Sequence, residues 1–402
     1  MEKIRTAISP LLTVLCLCGF GVFEYPQNQP RFYLTIFYIL ISWLSYAYIV
    51  FKTKLFLQRN ELDYPMFNHT NMVFAILYML FNFYYNKKFK NCLDKIDIVN
   101  NTLEKLGTPK NYVKLRIQII WLITGWTISM FVIDLNDYLW YGKKLSKFFS
   151  IMTICIPPIG NHTFYINTLY DFMYMTLLRY VGSQFEHVNK YIEEIAEQKK
   201  QRVRYAWTTS TAPLIRQHRA DIEISKQNIW ILMHIHLELC SISCQLNMIF
   251  GLQMVMQAIA FHVFTVQIIY ESYIIMMMLY DNFTYEKLMD CFGIYFWIII
   301  NTIKMIVLNY ICERVCIKAN TTEKFLNKLT NLTFDIETQE TLMQFLFKIL
   351  RKPLKISGFG LFYFGFKFLL ECASFIAMII VFVIQSPPRG DSSIGAEMRK
   401  NV

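Results

Sequence analysis

Residues 356–385 read ISGFGLFYFGFKFLLECASFIAMIIVFVIQ, thirty positions in which only Lys367 and Glu371 are charged and the last is an amide, Gln385. About 20 apolar residues carry a helix across a bilayer, so this stretch is long enough to span one with residues to spare. An amide where such a helix leaves the lipid points to water at that end rather than to a plain anchor.

Six more apolar stretches of spanning length precede it, near 33–51, 66–86, 117–133, 160–178, 243–270 and 291–312, and the last span is placed at 356–386. Apolar residues make up 55% of the 402-residue chain and charged ones 17%, against about 25% in ordinary soluble domains. No Gly/Ser-rich linker or charge block divides the chain. These features predict an all-α polytopic membrane protein of seven spans folded as one domain. The shorter apolar run from Ile8 to Phe23 contains Pro10 and two glycines and reads as an interfacial helix; the basic start, Lys3 and Arg5, also fits a signal peptide, but no clear small-residue cleavage site follows.

The distribution of basic residues orients the chain. With the N-terminus in the cytoplasm, 28 of the 40 Lys and Arg fall on the inner side and ten on the outer, while Lys304 and Lys367 lie within spans. The positive-inside rule therefore predicts an inside N-terminus and an outside C-terminus, the reverse of G-protein-coupled receptors. The net charge of +11 follows this asymmetry rather than forming a nucleic-acid patch. Six Asn-x-Ser/Thr sequons, Asn161 among them, divide evenly between the two sides and do not decide the matter.

The inner segments Arg179–Leu237 and Cys312–Lys355 alternate apolar with charged residues at helical spacing, as in Leu342, Phe345, Leu346 and Ile349. They read either as an anchoring bundle that joins subunits or as stripes that cover their own neighbours. The chain divides on this reading into 1–312 (an N-terminal helix and spans one to six), 313–355 (anchor helices), 356–386 (the last helix) and a tail, 387–402. No phosphate loop, His-Glu-x-x-His pair or nucleophile elbow occurs. His234 and His236 are two apart, which does not put two ligands on one helical face. Neither an enzyme nor a metal or cofactor site is expected.

From Phe325 to Gln385 the sequence resembles the C-terminal region of insect gustatory receptors. An amphipathic helix is followed by Pro353-Leu354-Lys355-Ile356-Ser357-Gly358-Phe359-Gly360-Leu361-Phe362, then by an apolar helix ending Phe382-Val383-Ile384-Gln385. Leu246 to Gln253 looks like the start of that family's fifth helix, and the inverted seven-helix layout is shared by the insect odorant and gustatory superfamily. The family signature is Thr-Tyr, five apolar residues, then Gln-Phe. Here Met378 and Ile379 stand for Thr-Tyr, Ile380 to Ile384 are the apolar five, Gln385 is kept, and Ser386 replaces Phe.

The resemblance implies a ligand-gated, non-selective cation channel of the plasma membrane, a homotetramer or heterotetramer with one last helix per subunit around the pore. It places the gate around Phe382, Gln385 and Ser386. Helical spacing puts Phe375, Met378 and Phe382 near one face with Gln385, where four copies would form apolar rings able to hold back ions by dewetting; facing lipid or neighbouring helices is the plainer role for the same side chains. A small-molecule tastant would bind in the outer half of spans two to six. Candidates by depth are Asp134, Tyr165, Asp171, Gln257, His262, Gln267, Tyr295, Trp297 and Asn301. Lys304 is either a pocket cation or a partner for a carboxylate. A largely aromatic, uncharged pocket suits bitter or plant secondary compounds better than sugars. An odorant-type channel, a G-protein-coupled receptor and a transporter are the alternatives; the charge-derived topology opposes the second, and the third would show an internal repeat.

Overall fold

The computed structural model describes residues 3–19, 31–59, 66–145, 150–208, 214–281 and 285–385. Among them are nine helices and one small hairpin: α1 (Ile4–Leu17), α2 (Phe32–Arg59), α3 (Met66–Lys105), α4 (Tyr112–Lys144), α5 (Ile151–Thr208), α6 (Leu214–Asp281), α7 (Tyr285–Asn331), α8 (Ile336–Arg351), β1 (Ser357–Gly358), β2 (Phe362–Tyr363) and α9 (Phe366–Gln385). The fold is all-α, as the hydropathy pattern predicts. Five helical stretches, Tyr33–Arg59, Tyr112–Lys143, Lys226–Ile274, Tyr295–Asn331 and Phe366–Gln385, are long and apolar enough to cross a membrane. The expected spans 66–86 and 160–178 lie on α3 and α5, outside those five. Residues 160–178 of α5 are buried almost all round, so polar side chains there are shielded by neighbouring helices rather than offered to lipid.

The 68 residues of α6 rise about 100 Å at 1.5 Å each, several times the thickness of a hydrocarbon core of about 30 Å. Its first third continues beyond the span read from the sequence at 243–270 and packs with the C-terminal parts of α5 and α7, and α6 and α7 in turn pack on α8. There the helical stripes close on one another: Phe185, Val188 and Ile192 of α5, Leu232 and Leu239 of α6, Leu326 and Leu329 of α7, and Leu342, Phe345 and Ile349 of α8 form part of one buried core. The stripes therefore do cover their own neighbours within one chain. Asp335 caps α8 by accepting from the Thr338 N–H at 2.9 Å, and the two donors of Thr338 hold its carboxyl below the ordinary range.

Two boundaries differ from expectation. The N-terminal helix begins at Ile4 rather than Ile8 and buries Ile4, Ala7, Ile8, Leu11 and Leu15 against α3, α4 and α5; residues of the apolar run beyond 19 lie outside the described ones. The last span is shorter than expected, because residues 356–365 form a hairpin and not helix. Ser357 pairs with Tyr363 and Gly358 with Phe362, and Gly360 (φ +77°) and Gly365 (φ +149°) adopt backbone angles that side chains disfavour. At Gly365 an added Cβ would also collide with the Glu313 carboxylate, while its N–H donates to Asn309 Oδ1 of α7 at 2.9 Å. Mean hydropathy sees ten uncharged residues there; the glycines turn them back.

Candidate functional site

The end of the bundle formed by the C-terminal half of α4 and the N-terminal parts of α5 and α7 gathers three of the expected residues. Tyr165 donates to Asp134 at 2.6 Å. Asn161, one turn before Tyr165, donates to Asp134 at 3.2 Å and to Asp137 at 2.8 Å. The Trp297 indole N–H points to Asp137 at 3.4 Å. Ile133, Phe164, Trp126 and Phe296 pack around these groups, with the rings of Phe164 and Trp297 5.1 Å apart edge to face. Among the described residues the donors to Asp134 and Asp137 are all neutral. Asp137 and Asn161 were absent from the candidates read from the sequence; the signal was there in spacing, since Asp137 follows Asp134 by three residues and Asn161 precedes Tyr165 by four, which puts each pair on one helical face.

A second polar group lies deeper along the same helices. Lys304 of α7 pairs with Asp171 of α5 at 2.7 Å, and the two residues are only 9% and 1% exposed. Gln253 of α6 donates to the other Asp171 oxygen. Lys304 also reaches Thr168 at 3.3 Å and lies 5.2 Å from the Phe164 ring, which joins this group to the first. The open choice for Lys304 is thus resolved toward a carboxylate partner. Removing one member of such a buried pair strands the other charge, at a cost of about 3–5 kcal/mol. Tyr78, Tyr170, Tyr174 and Phe250 wall this region, with Tyr78 stacked on Tyr170 at 6.1 Å and Phe250 5.2 Å from both Tyr170 and Tyr174.

The remaining candidates sit elsewhere or play local parts. Gln257 is buried one turn beyond Gln253. Asn301 is buried and donates to the Trp297 carbonyl of its own helix at 3.0 Å. Gln267 bonds to Glu271 at 3.0 Å along α6, and Tyr295 is exposed; neither joins the cluster. His262 leaves it too: its ring bonds the Ala258 carbonyl at 2.7 Å and meets Phe375 of α9 edge to face at 4.9 Å. His236 instead bonds the Ala319 carbonyl at 3.1 Å, while His234 lies on Trp230.

Helix α9 buries a narrow stripe, Phe368, Cys372 and Val383, where it packs on α6 and α7. Phe375 is half-buried against His262. Met378 and Phe382 are 60% and 67% exposed, and Gln385 is exposed beside them. Three of the expected gate residues therefore share one uncovered face, with Phe375 at its edge; Ser386 lies outside the described residues.

The fold has solved counterparts. The structure of the insect olfactory receptor OR5 from Machilis hrabei in complex with eugenol superposes with a TM-score of 0.58 at 12% identity, over 95% of this chain and 98% of that one. A second structure of the insect olfactory receptor OR5 from Machilis hrabei gives 0.57 at 12%, with the same coverage. At this identity the likeness is one of fold. No curated protein matches the chain in sequence. A family model described as 7tm chemosensory receptor matches residues 8–386, nearly the whole chain, in agreement with the likeness read from its C-terminal residues. With spanning helices laid side by side around a buried polar core, this multi-pass membrane protein belongs to the 7tm chemosensory receptor family.

Proposed function

We propose that the chain is a gustatory receptor acting as a ligand-gated, non-selective cation channel. Seven spans run from an inside N-terminus to an outside C-terminus in the plasma membrane, four copies bring their α9 helices around one axis, and an external small molecule opens the passage between them. The observation that carries this reading is the largely exposed face of α9 on which Met378, Phe382 and Gln385 lie, on a helix that also touches the ligand-side bundle through Phe375 and His262. Four such faces would stack apolar rings below a ring of amides, and a modest splay of the helices would wet the constriction.

The ligand site is the aromatic and carboxylate cluster of Asp134, Tyr165 and Trp297, with Asp171, Gln257 and Asn301 behind it. Its aromatic lining favours a bitter or plant secondary compound over a sugar. Support comes from the family and from the fold shared with an olfactory receptor whose solved structure holds eugenol. That same likeness favours an odorant-type ligand as the second reading. A ligand shifts the closed–open balance only by its difference in affinity for the two states, so ligand contacts must change when α9 moves; the ring contacts Phe264–Trp297 and His262–Phe375 are the physical link available between the two sites.

The test is to express the chain alone and record from excised patches without nucleotide while applying sugars, alkaloids, glycosides and volatile phenols. Cation current evoked by one class supports the channel and names its ligand. A response that needs a G protein, or a C-terminal tag reached only from the cytosol, overturns it.

A further inference from the structure

Most lysines in the bundle beside α8 have a carboxylate partner. Lys318 meets Glu186 at 2.5 Å, Lys328 meets Glu197 at 2.6 Å, Lys95 meets Glu238 at 2.8 Å, and Lys226 meets Glu337. Four cations within eight residues break this pattern: Lys348, Arg351, Lys352 and Lys355. Among the described residues none of them forms an ion pair. Lys348 approaches the Met233 sulfur at 4.0 Å, and Lys355 lies 5.2 Å from the Tyr363 ring. All four line one cavity of about 870 Å³ between α6 and the end of α8, and no carboxylate is among its lining residues.

The other wall gives the cavity a direction. It is made by α6 from His236 to Met248, and the spanning stretch read from the sequence begins at 243. One end of the cavity thus lies at the membrane face and the other below it, on the side that carries most of the basic residues. Met248 is exposed there and the half-buried Leu237 adds apolar surface, while Ser241 and Gln245 offer hydrogen bonds. Cations at the rim, apolar surface toward the bilayer and no competing carboxylate are what the phosphorylated headgroup of an anionic lipid requires. Clustered Lys and Arg beside an anionic leaflet are attracted to it additively.

We infer that this cavity is an inner-leaflet binding site for an anionic phospholipid, held by Lys348, Arg351, Lys352 and Lys355. Its place gives it a consequence. Lys352-Pro353-Leu354-Lys355 is the connection from α8 to the hairpin and so to α9, and Leu354 and Ile356 are buried on either side of Lys355. A headgroup that draws this connection onto α6 fixes the inner end of α9, and the lipid composition of the inner leaflet then biases the opening proposed above. The inference rests on that topology.

The experiment uses the purified full-length protein and vesicles of phosphatidylcholine, alone or with phosphatidylinositol bisphosphate or phosphatidylserine, with binding read by native mass spectrometry and by fluorescent-lipid titration. The expected result is retention of the anionic lipids over phosphatidylcholine, weakened roughly tenfold or more in Lys348→Gln/Arg351→Gln/Lys352→Gln/Lys355→Gln. The charge-preserving variant Lys348→Arg/Lys352→Arg/Lys355→Arg keeps binding, which separates lost charge from lost fold. Soluble inositol trisphosphate, the headgroup without chains, competes only weakly. Equal binding by the neutralised variant, equal binding of phosphatidylcholine, or a free headgroup as tight as the lipid overturns the proposal. So does a change of subunit number in the neutralised variant, which would make this face a contact between copies. In inside-out patches, scavenging the lipid with polylysine shifts the ligand response of the unmodified channel and leaves that of the neutralised one unchanged. If no ligand evokes current, the channel reading fails while the binding measurements still decide the lipid site.

Discussion

Helices α5 and α9 invert each other. Residues 160–178 of α5 carry Asn161, Thr163, Asn167, Thr168 and Asp171, all buried, whereas α9 is apolar nearly throughout and leaves most of its surface exposed. In water the polar helix would lie outside and the apolar one inside. In a bilayer the preference reverses, since lipid is a good solvent for Leu and Phe and a poor one for amides and carboxylates. The lesson is that hydropathy finds the helices whose apolar surface is exposed and underrates the buried one, whose polar side chains turn inward.

The hardest way to break this comparison is to strand a charge on its polar side. Lys304→Met leaves Asp171 without its cation, and the expected loss is about 3–5 kcal/mol, read as a collapse of the monodisperse peak and of the thermal midpoint in detergent. Asp171→Asn/Lys304→Met together should recover most of it; if the single change is silent, the pair is not buried as described. Tyr165→Phe removes one hydrogen bond to Asp134 and should cost about 1 kcal/mol, together with a right-shifted ligand dose–response. A shift in stability without one in ligand sensitivity would remove Tyr165 from the ligand site.

On the apolar side the expectation changes kind. Phe382→Ala and Met378→Ala touch an uncovered face and should alter stability by no more than about 0.5 kcal/mol, yet raise the current without ligand by widening a dry constriction. Wild-type currents in both variants would return that face to lipid. The smallest effect concerns pH. Glu186 is held below the ordinary carboxylate range, first by its bond to Lys318, and Asp335 by Thr338. A lowered folded value means their support is complete above the unfolded carboxylate range and disappears as pH falls through that range toward the lowered folded values. The thermal midpoint should therefore drop slightly more on acidification in the unmodified protein than in Glu186→Gln.

Helix existence and five of the seven expected stretches, those at 33–51, 117–133, 243–270, 291–312 and 356–386, were legible because apolar runs of spanning length announce themselves. Of the nine ligand candidates chosen by depth, Asp134, Tyr165 and Trp297 come together in the structure, a grouping the sequence reading did not make. Three things were not legible. The hairpin at 357–363 was hidden because its residues carry no charge and run without a break into the helix that follows, and only the glycine spacing at 358, 360 and 365 betrays it. The role of Lys304 depended on the angular phase of α5 against α7, which no single-chain pattern contains. His262 has the polarity of a pocket residue, but its position on α6 turns it toward Phe375 and away from the carboxylates. Depth can be counted along a sequence; azimuth cannot.

The contact at Gly365 sets what α9 can do. Its N–H is tied to Asn309, its φ of +149° disfavours a side chain, and the helix that follows has 20 residues. A rod of about 30 Å pinned at its base can swing but cannot slide. A pivot of about 10° there carries the far tip through about 5 Å by the same geometry, so a small disturbance near the hinge is magnified where Gln385 stands.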